Sequence, residues 1–100
     1  MKKSRVLVVD DHVLFRKGLV GLISSQPGME MAGEASDGVE AVDKAKALRP
    51  DIVLMDIYMP RCNGIEAARL IKRKLPSTHI VMLTASDDER DVSEAIMAGA

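Results

Sequence analysis

The sequence predicts an α/β protein with a doubly wound parallel sheet, and three observations lead to that prediction. Short apolar runs alternate with segments whose apolar residues recur at helical spacing, which is typical of βαβ units. Three of the runs, at residues 6–9, 52–55 and 80–83, contain no polar residue and are therefore expected to be strands buried on both faces. The first two of these runs end in carboxylates, at Asp10, Asp11 and Asp56. Ligands of open α/β sheets bind at the carboxyl ends of strands, so these acids indicate a candidate site.

The composition fits one small globular domain and narrows the classes of function. The chain has 100 residues, of which 47% are hydrophobic, so a packed core is feasible. Its formal net charge of −1 argues against nucleic-acid binding by this segment, which would need a basic patch. One cysteine, Cys62, excludes an internal disulfide and a multi-cysteine zinc site, and a cytoplasmic location is the simplest setting. The N-terminal apolar run is too short for a signal peptide or a membrane span.

The first strand is predicted over residues 5–9, and a helix opens after it at Asp11 or His12. Pro27 and Gly28 stop that helix. Its apolar face is expected to comprise Phe15, Leu19, Leu22 and Ile23. Residues 30–35 mix polar and small apolar residues, which suits a short strand at the edge of the sheet.

The second helix is predicted to begin at Asp37, with Glu40 completing a capping-box-like pair. Its buried stripe is expected to comprise Val39, Val42, Ala45 and Leu48. Arg49 precedes Pro50 and should end the helix, because the residue before a proline disfavours the helical region.

The third strand, residues 52–55, is followed by a loop and a third helix that Asn63 and Glu66 would cap and Pro76 would close. The inward face of this helix is expected to comprise Ile65, Ala68, Ile71 and Leu75. The fourth strand covers residues 80–83, and a fourth helix is predicted over 86–99.

The expected strand order is 2-1-3-4. Strands one and three carry the acids and should be adjacent, the polar strand two belongs at an edge, and strand four lies beyond strand three. The point where the strand order reverses then falls between strands one and three, beside Asp10, Asp11 and Asp56.

Three carboxylates so close together call for a cation or a proton. Two unit charges about 5 Å apart repel by roughly 3 kcal/mol at an effective dielectric constant near 20. An all-oxygen site with few protein ligands suits Mg²⁺, which favours phosphate partners. Thr84, after the fourth strand, offers a hydroxyl to a phosphate oxygen, and a carboxylate can act as a nucleophile towards phosphorus. The neighbouring His12 is expected to be a solvated first-turn residue rather than a metal ligand.

Four motifs together resemble a response-regulator receiver domain over residues 5–100. They are Asp10-Asp11, the run 53–56 with Pro60 and Asn63-Gly64, the segment 83–85, and Ala98-Gly99-Ala100. Residues 10–12 and 33–38 look most like the NarL/FixJ subfamily, whose members usually carry a LuxR-type DNA-binding domain after the receiver. The resemblance implies a flavodoxin-like (CheY-like) fold and a cytoplasmic transcription regulator.

The resemblance also implies a role for each site residue. Asp56 matches the phosphoacceptor, and Asp11 matches a direct Mg²⁺ ligand with Asp10 as the assisting acid. The backbone carbonyl of Tyr58 matches the third protein ligand, and Thr84 the switch hydroxyl. A sensor histidine kinase would supply the phosphoryl group. The domain would not be an enzyme beyond phosphorylating itself from small donors and dephosphorylating itself.

The family pattern continues beyond residue 100, to a fifth strand with a lysine that pairs with the phosphoryl group and a fifth helix. Residues 1–100 are therefore expected to form a C-terminally incomplete receiver domain, with the DNA-binding output domain outside this chain. An apolar fourth strand with one unpaired edge also predicts that residues 1–100 alone are not a stable monomer, so that either further residues cover this edge or two chains pair as a homodimer.

Alternative functions are a haloacid-dehalogenase-type hydrolase and an interaction module that is never phosphorylated. The hydrolase expects a second acid two residues after Asp56, where this chain has Tyr58. The interaction module remains an alternative because residues 1–100 do not include the fifth-strand lysine that pairs with the phosphoryl group in the family. A nucleotide-binding module is disfavoured, because neither a G-x-G-x-x-G motif nor a P-loop occurs.

Overall fold

Four strands and three helices alternate along the residues that the computed structural model describes, which are 3–56 and 64–83. In chain order they are β1 (Ser4–Val9), α1 (Val13–Ser24), β2 (Met29–Ala35), α2 (Gly38–Leu48), β3 (Ile52–Asp56), α3 (Gly64–Lys74) and β4 (His79–Leu83). Each strand has the predicted bounds to within one residue. The predicted fourth helix lies outside the described residues.

The strands form one parallel sheet in the order β2-β1-β3-β4, which confirms the predicted order. The ladder between β1 and β2 is irregular: Val6 pairs with Met31 and Leu7 with Gly33, so Ala32 is an extra residue on β2. A Cβ atom on Gly33 would come within 2.8 Å of Leu48 Cδ1. The glycine therefore lets the end of α2 pack closely on the edge strand.

Each face of the sheet has its own apolar cluster, because successive strand residues point to opposite faces. The cluster under α1 comprises Val6, Val8, Leu19, Ile23, Met29, Ile52 and Leu54. The cluster under α2 and α3 comprises Leu7, Val9, Ala35, Ala41, Ala45, Val53, Met55, Ala67 and Ile71. With α1 on one face and α2 and α3 on the other, the sheet is doubly wound, as predicted.

The buried stripe of α2 matches the predicted one except at Val39, since Ala45 is buried and Val42 and Leu48 are partly buried against the same cluster. Gly38, Ala41 and Ala45 are its buried residues, and Val39 is 56% exposed. Small residues let the helix backbone approach the sheet closely, while the valine faces solvent. Among the described residues, Val39 is thus an expected core residue that is not in the core.

Helix α2 ends at Leu48, as predicted from Pro50, but the conformation at its end is different. Arg49 is left-handed, with φ 48° and ψ 62°, rather than extended. Its N–H donates to the carbonyl of Ala45, which satisfies a carbonyl of the last turn. Arg5 in β1 donates to the carbonyls of Leu48 and Arg49, at 2.6 and 3.4 Å, and so ties this turn to the sheet.

Strand β4 lies opposite β2 at the other edge of the described sheet, and its residues Ile80, Val81 and Met82 are half-buried. Val81 packs on the α1 face, and Ile80 and Met82 pack on the opposite face. β4 therefore contributes to both clusters, although it is less buried than β1 and β3. No helix in residues 3–56 or 64–83 is long and apolar enough to cross a membrane.

Candidate functional site

Asp10 follows the last residue of β1 and is held both by its backbone N–H and by its side chain. Its N–H donates to the carbonyl of Ala35 in β2 at 3.0 Å, and its Oδ1 accepts the N–H of His12 at 2.8 Å. The side chain is only 2% exposed. An aspartate that accepts an N–H two residues later stabilises a tight turn, so the first acid also shapes the loop that carries the second.

Among the described groups of the site, the carboxylate of Asp11 is less well satisfied than that of Asp10. Its Oδ1 is buried and has no hydrogen-bond partner, while the side chain as a whole is 31% exposed. A buried carboxylate oxygen without a donor is unfavourable unless a cation neutralises it. Asp11 therefore fits a role as an oxygen ligand of a hard divalent cation, of which Mg²⁺ is the expected one.

His12 is 66% exposed at the N-cap of α1, in agreement with the solvated position expected for it. Its ring nevertheless lies against both acids, with Nδ1 3.3 Å from Asp10 Oδ1 and 3.2 Å from Asp11 Oδ1. One ligand atom from each of the three residues falls within a 4.8 Å group. This closeness follows from the tight turn, which the pattern of the sequence did not reveal.

Asp56 is the last residue of β3, the strand adjacent to β1. Val9 pairs with Met55, so Asp10 and Asp56 are the next residues of two neighbouring strands at one edge of the sheet. For Asp56 the structure describes the position of the backbone only. Tyr58 and Thr84, the other expected site residues, lie outside the described residues, although Leu83 pairs with Asp56 across the β3–β4 ladder.

A network of ion pairs and hydrogen bonds that joins β2, α1 and α2 borders the site. Arg16 donates through Nη1 to the backbone carbonyl of Asp10 at 2.7 Å and through Nε to Glu34 Oε1 at 3.0 Å. Lys17 lies 3.5 Å from the same carboxylate, and Lys44 donates to the backbone carbonyl of Glu34. Sequence reasoning missed this network, because its partners come from different elements and carry no short-range motif.

A family model described as the response regulator receiver domain matches residues 6–100. The uncharacterized transcriptional regulatory protein YxjL of Bacillus subtilis (strain 168) is 49% identical over 98 residues, which are 98% of this chain and 45% of that protein. The chain thus spans less than half the length of this relative.

Two solved structures share the fold along nearly the whole chain. The signal receiver domain of NarL from Mycobacterium tuberculosis has a TM-score of 0.79 and 37% identity, and the match covers 100% of this chain and 81% of that one. The CheX–CheY–BeF₃–Mg²⁺ complex from Borrelia burgdorferi has a TM-score of 0.78 and 34% identity, with coverage of 99% and 75%. Both similarities agree with the predicted CheY-like fold.

Proposed function

We propose that this chain, which belongs to the family of response regulator receiver domains, is a phosphorylation-dependent switch in a two-component system. Asp56 accepts a phosphoryl group from a sensor histidine kinase. The observation that carries this proposal is the pairing of Val9 with Met55, because it supports a cluster of Asp10, Asp11 and Asp56 at one edge of the sheet.

The transfer requires a nucleophile, a charge-neutralising site and a donor. A carboxylate oxygen of Asp56 forms a bond to phosphorus, and the bond from phosphorus to the donor breaks. The donor leaves with its electron pair, either as a neutral imidazole from a kinase phosphohistidine that carries a proton on its other ring nitrogen, or as acetate from acetyl phosphate. The product on Asp56 is an acyl phosphate. The hydroxyl of Thr84 would then donate to a phosphoryl oxygen and so couple the modification to the loop after β4.

A magnesium ion fits the residues of this edge. Asp11, Asp56 and the carbonyl of Tyr58 would bind it directly, and Asp10 would assist. Bound Mg²⁺ lowers the cost of bringing the negative phosphoryl group to an acidic cluster. The buried, unpartnered Oδ1 of Asp11 supports this assignment. The neighbouring CheY structure, which is described with BeF₃ and Mg²⁺, supports it further.

The output of the switch is proposed to be transcription. The relative YxjL is described as a transcriptional regulatory protein, and this chain covers 45% of its length. DNA binding would then belong to a domain outside residues 1–100, which agrees with the net charge of −1 on this segment. The switch would act in the cytoplasm, as a homodimer in which phosphorylation alters the surface that joins the two copies.

Intact-mass spectrometry after incubation with acetyl phosphate and Mg²⁺ tests the proposal. The chain, extended through a fifth strand from its own gene, should gain one phosphoryl group that hydroxylamine removes. Asp56→Asn should gain none, and Asp43→Asn, which changes an exposed acid of α2, should behave as the unmodified protein. An extended protein that gains no phosphoryl group would favour the alternative of a receiver-like interaction module.

A further inference from the structure

Arg16 holds the peptide group that joins the two acids of the site. Its Nη1 donates at 2.7 Å to the carbonyl oxygen of Asp10, and that oxygen belongs to the peptide bond between Asp10 and Asp11. The Arg16 side chain is 15% exposed, so solvent competes little for this hydrogen bond. The guanidinium therefore fixes the plane of the peptide from which the Asp11 side chain departs.

Glu34 holds the other side of the guanidinium. Its Oε1 accepts from Arg16 Nε at 3.0 Å, and Lys44 donates to its backbone carbonyl. Glu34 also pairs with Val8 in the β1–β2 ladder, two residues before Asp10. The carboxylate thus fixes the position of the arginine relative to β1, and it balances a positive charge that would otherwise be drawn towards the acids of the site.

Asp11 depends on this arrangement more than Asp10 does. Asp10 is held by the carbonyl of Ala35 and by the N–H of His12, whereas Asp11 Oδ1 has no hydrogen bond of its own. Apart from the ring of His12, which is 66% exposed and whose Nδ1 lies 3.2 Å from Asp11 Oδ1, the direction of the Asp11 carboxylate is set by its backbone. That backbone is held through the Asp10 carbonyl, which accepts from Arg16.

We infer that Arg16 and Glu34 form a positioning pair that orients the Asp10–Asp11 peptide and thereby preorganises Asp11 for a divalent cation. The inference rests on the proposed function. Neither residue is assigned to the metal or to the phosphoryl group. Groups that hold metal ligands in place affect metal affinity by about 10- to 100-fold, and an effect of this size is expected here.

The feature to test is the ability of the arginine guanidinium to donate hydrogen bonds in two directions at once. One guanidinium donates in two directions at once, to Asp10 O and to Glu34 Oε1, whereas a lysine at this position would present a single ammonium group. Arg16→Lys therefore keeps the charge and loses the bridge. Lys17→Met is the matched control, because Lys17 is the next residue of α1, lies 3.5 Å from the same carboxylate and makes no contact with Asp10 that would orient the peptide.

The experiment is a titration of the chain with Mg²⁺, followed by NMR at the amides of residues 10–12, together with urea unfolding of the metal-free protein. We expect Arg16→Lys and Glu34→Ala each to weaken Mg²⁺ binding by about tenfold, and Lys17→Met to change it less than twofold. Hydrogen exchange at the Asp10 and His12 amides of the metal-free protein should become faster in Arg16→Lys, in excess of any change in the global unfolding equilibrium.

Three results would overturn the inference. Arg16→Lys could bind Mg²⁺ as the unmodified chain does, Lys17→Met could weaken binding as much as Arg16→Lys, or Arg16→Lys could lower stability while affinity and local exchange stay unchanged. The first result would mean that the positive charge at position 16 is sufficient or that the residue does not affect Mg²⁺ binding. The second would mean that positive charge near Glu34 matters rather than the hydrogen bonds of Arg16. The third would mean that the pair stabilises the fold without orienting the site. If the unmodified chain shows no Mg²⁺-dependent change at residues 10–12, the proposed function fails instead, and the metal-free exchange still decides whether Arg16 positions the peptide.

Discussion

Val9 of β1 and Met55 of β3 pair across two adjacent parallel strands, and the next residue of each strand is an acid. This relationship brings Asp10 and Asp56 to neighbouring positions although 46 residues separate them in the sequence. In this register the residues that precede the two acids pack in the core, since Val9 and Met55 are both fully buried. Acidic residues that follow two neighbouring strands therefore lie at one edge of the sheet, next to a well-packed core.

A metal-binding prediction follows from the unsatisfied carboxylate of Asp11. Mg²⁺ should raise the melting temperature, and a concentration ten times the dissociation constant should stabilise the fold by about 1.4 kcal/mol. Asp11→Asn should remove most of that increase without lowering the stability of the metal-free protein, since one of the repelling charges is gone. Differential scanning fluorimetry measures both quantities.

The control for this measurement is Asp43→Asn, which removes an exposed acid of α2 and should keep the full Mg²⁺ response. An unchanged response in Asp11→Asn would show that the ion binds elsewhere on the protein.

A second prediction concerns the core below α1. Leu54 is fully buried in β3 and belongs to the cluster with Leu19 and Ile23. Leu54→Ala should lower the free energy of unfolding by about 2–5 kcal/mol, because the fold cannot close the cavity completely. Val39→Ala, at a 56% exposed position, should change it by less than about 0.5 kcal/mol. Urea denaturation measures both, and a large loss in Val39→Ala would contradict the observed packing of α2.

Much of the fold could be predicted from local patterns. The runs at residues 6–9 and 52–55 are fully buried, and the edge position of β2 agrees with its polar residues, Glu30 and Glu34. The strand order followed from placing the acids together. These predictions succeeded because burial on two faces requires an unbroken apolar run, which is visible in the sequence alone.

The stripe of α2 could not be predicted in the same way. Val39, Val42, Ala45 and Leu48 recur every three residues, and three residues turn a helix by about 300°, so the stripe moves by about 60° at each step. Over the nine residues from Val39 to Leu48 it moves by about 180°. Ala45 is buried as predicted, but the sheet accepts the small residues Gly38 and Ala41 rather than Val39, which lies about 100° around the helix from Gly38.

The acids of the site were predicted, whereas the groups that hold them were not. Asp10 and Asp11 were expected from their place after a buried strand, and the structure brings their carboxylates beside His12 Nδ1. The contact of Arg16 with Glu34 joins a helix to a strand 18 residues away. No local spacing rule connects such positions, because the contact depends on how α1 lies across the sheet.

A third prediction concerns the start of α2. Asp37 accepts the N–H of Glu40 at 2.8 Å, and Glu40 Oε1 accepts the N–H of Ser36 at 2.9 Å, which confirms the predicted capping pair. Asp37→Ala should lower the free energy of unfolding by about 1 kcal/mol, whereas Asp37→Asn should change it by a few tenths, since asparagine caps helices nearly as well. Equal losses in the two variants, measured by thermal unfolding, would show that the cap is not the source of the stabilisation.

A fourth prediction uses the left-handed residue at the end of α2. Arg49 has φ 48°, a conformation that costs an ordinary L-residue about 1–2 kcal/mol, and Arg5 contacts its backbone carbonyl rather than its side chain. Arg49→Gly should therefore raise the free energy of unfolding by about 0.5 kcal/mol after the entropy that glycine adds to the unfolded chain. Ala47→Gly, within the helix, should lower it by about 0.5–1 kcal/mol. A loss in Arg49→Gly equal to that in Ala47→Gly would contradict the left-handed assignment.

Locating the phosphorylated residue tests the proposed function most directly. The extended protein is treated with acetyl phosphate and Mg²⁺, the acyl phosphate is reduced with borohydride, and peptide mass spectrometry locates the homoserine that replaces the modified aspartate. We predict homoserine at position 56 and unmodified aspartate at positions 10 and 11, because Asp56 is the proposed nucleophile and the other two acids are the proposed cation ligands. Homoserine at position 10 or 11, or at none of the three positions, would contradict the proposed function.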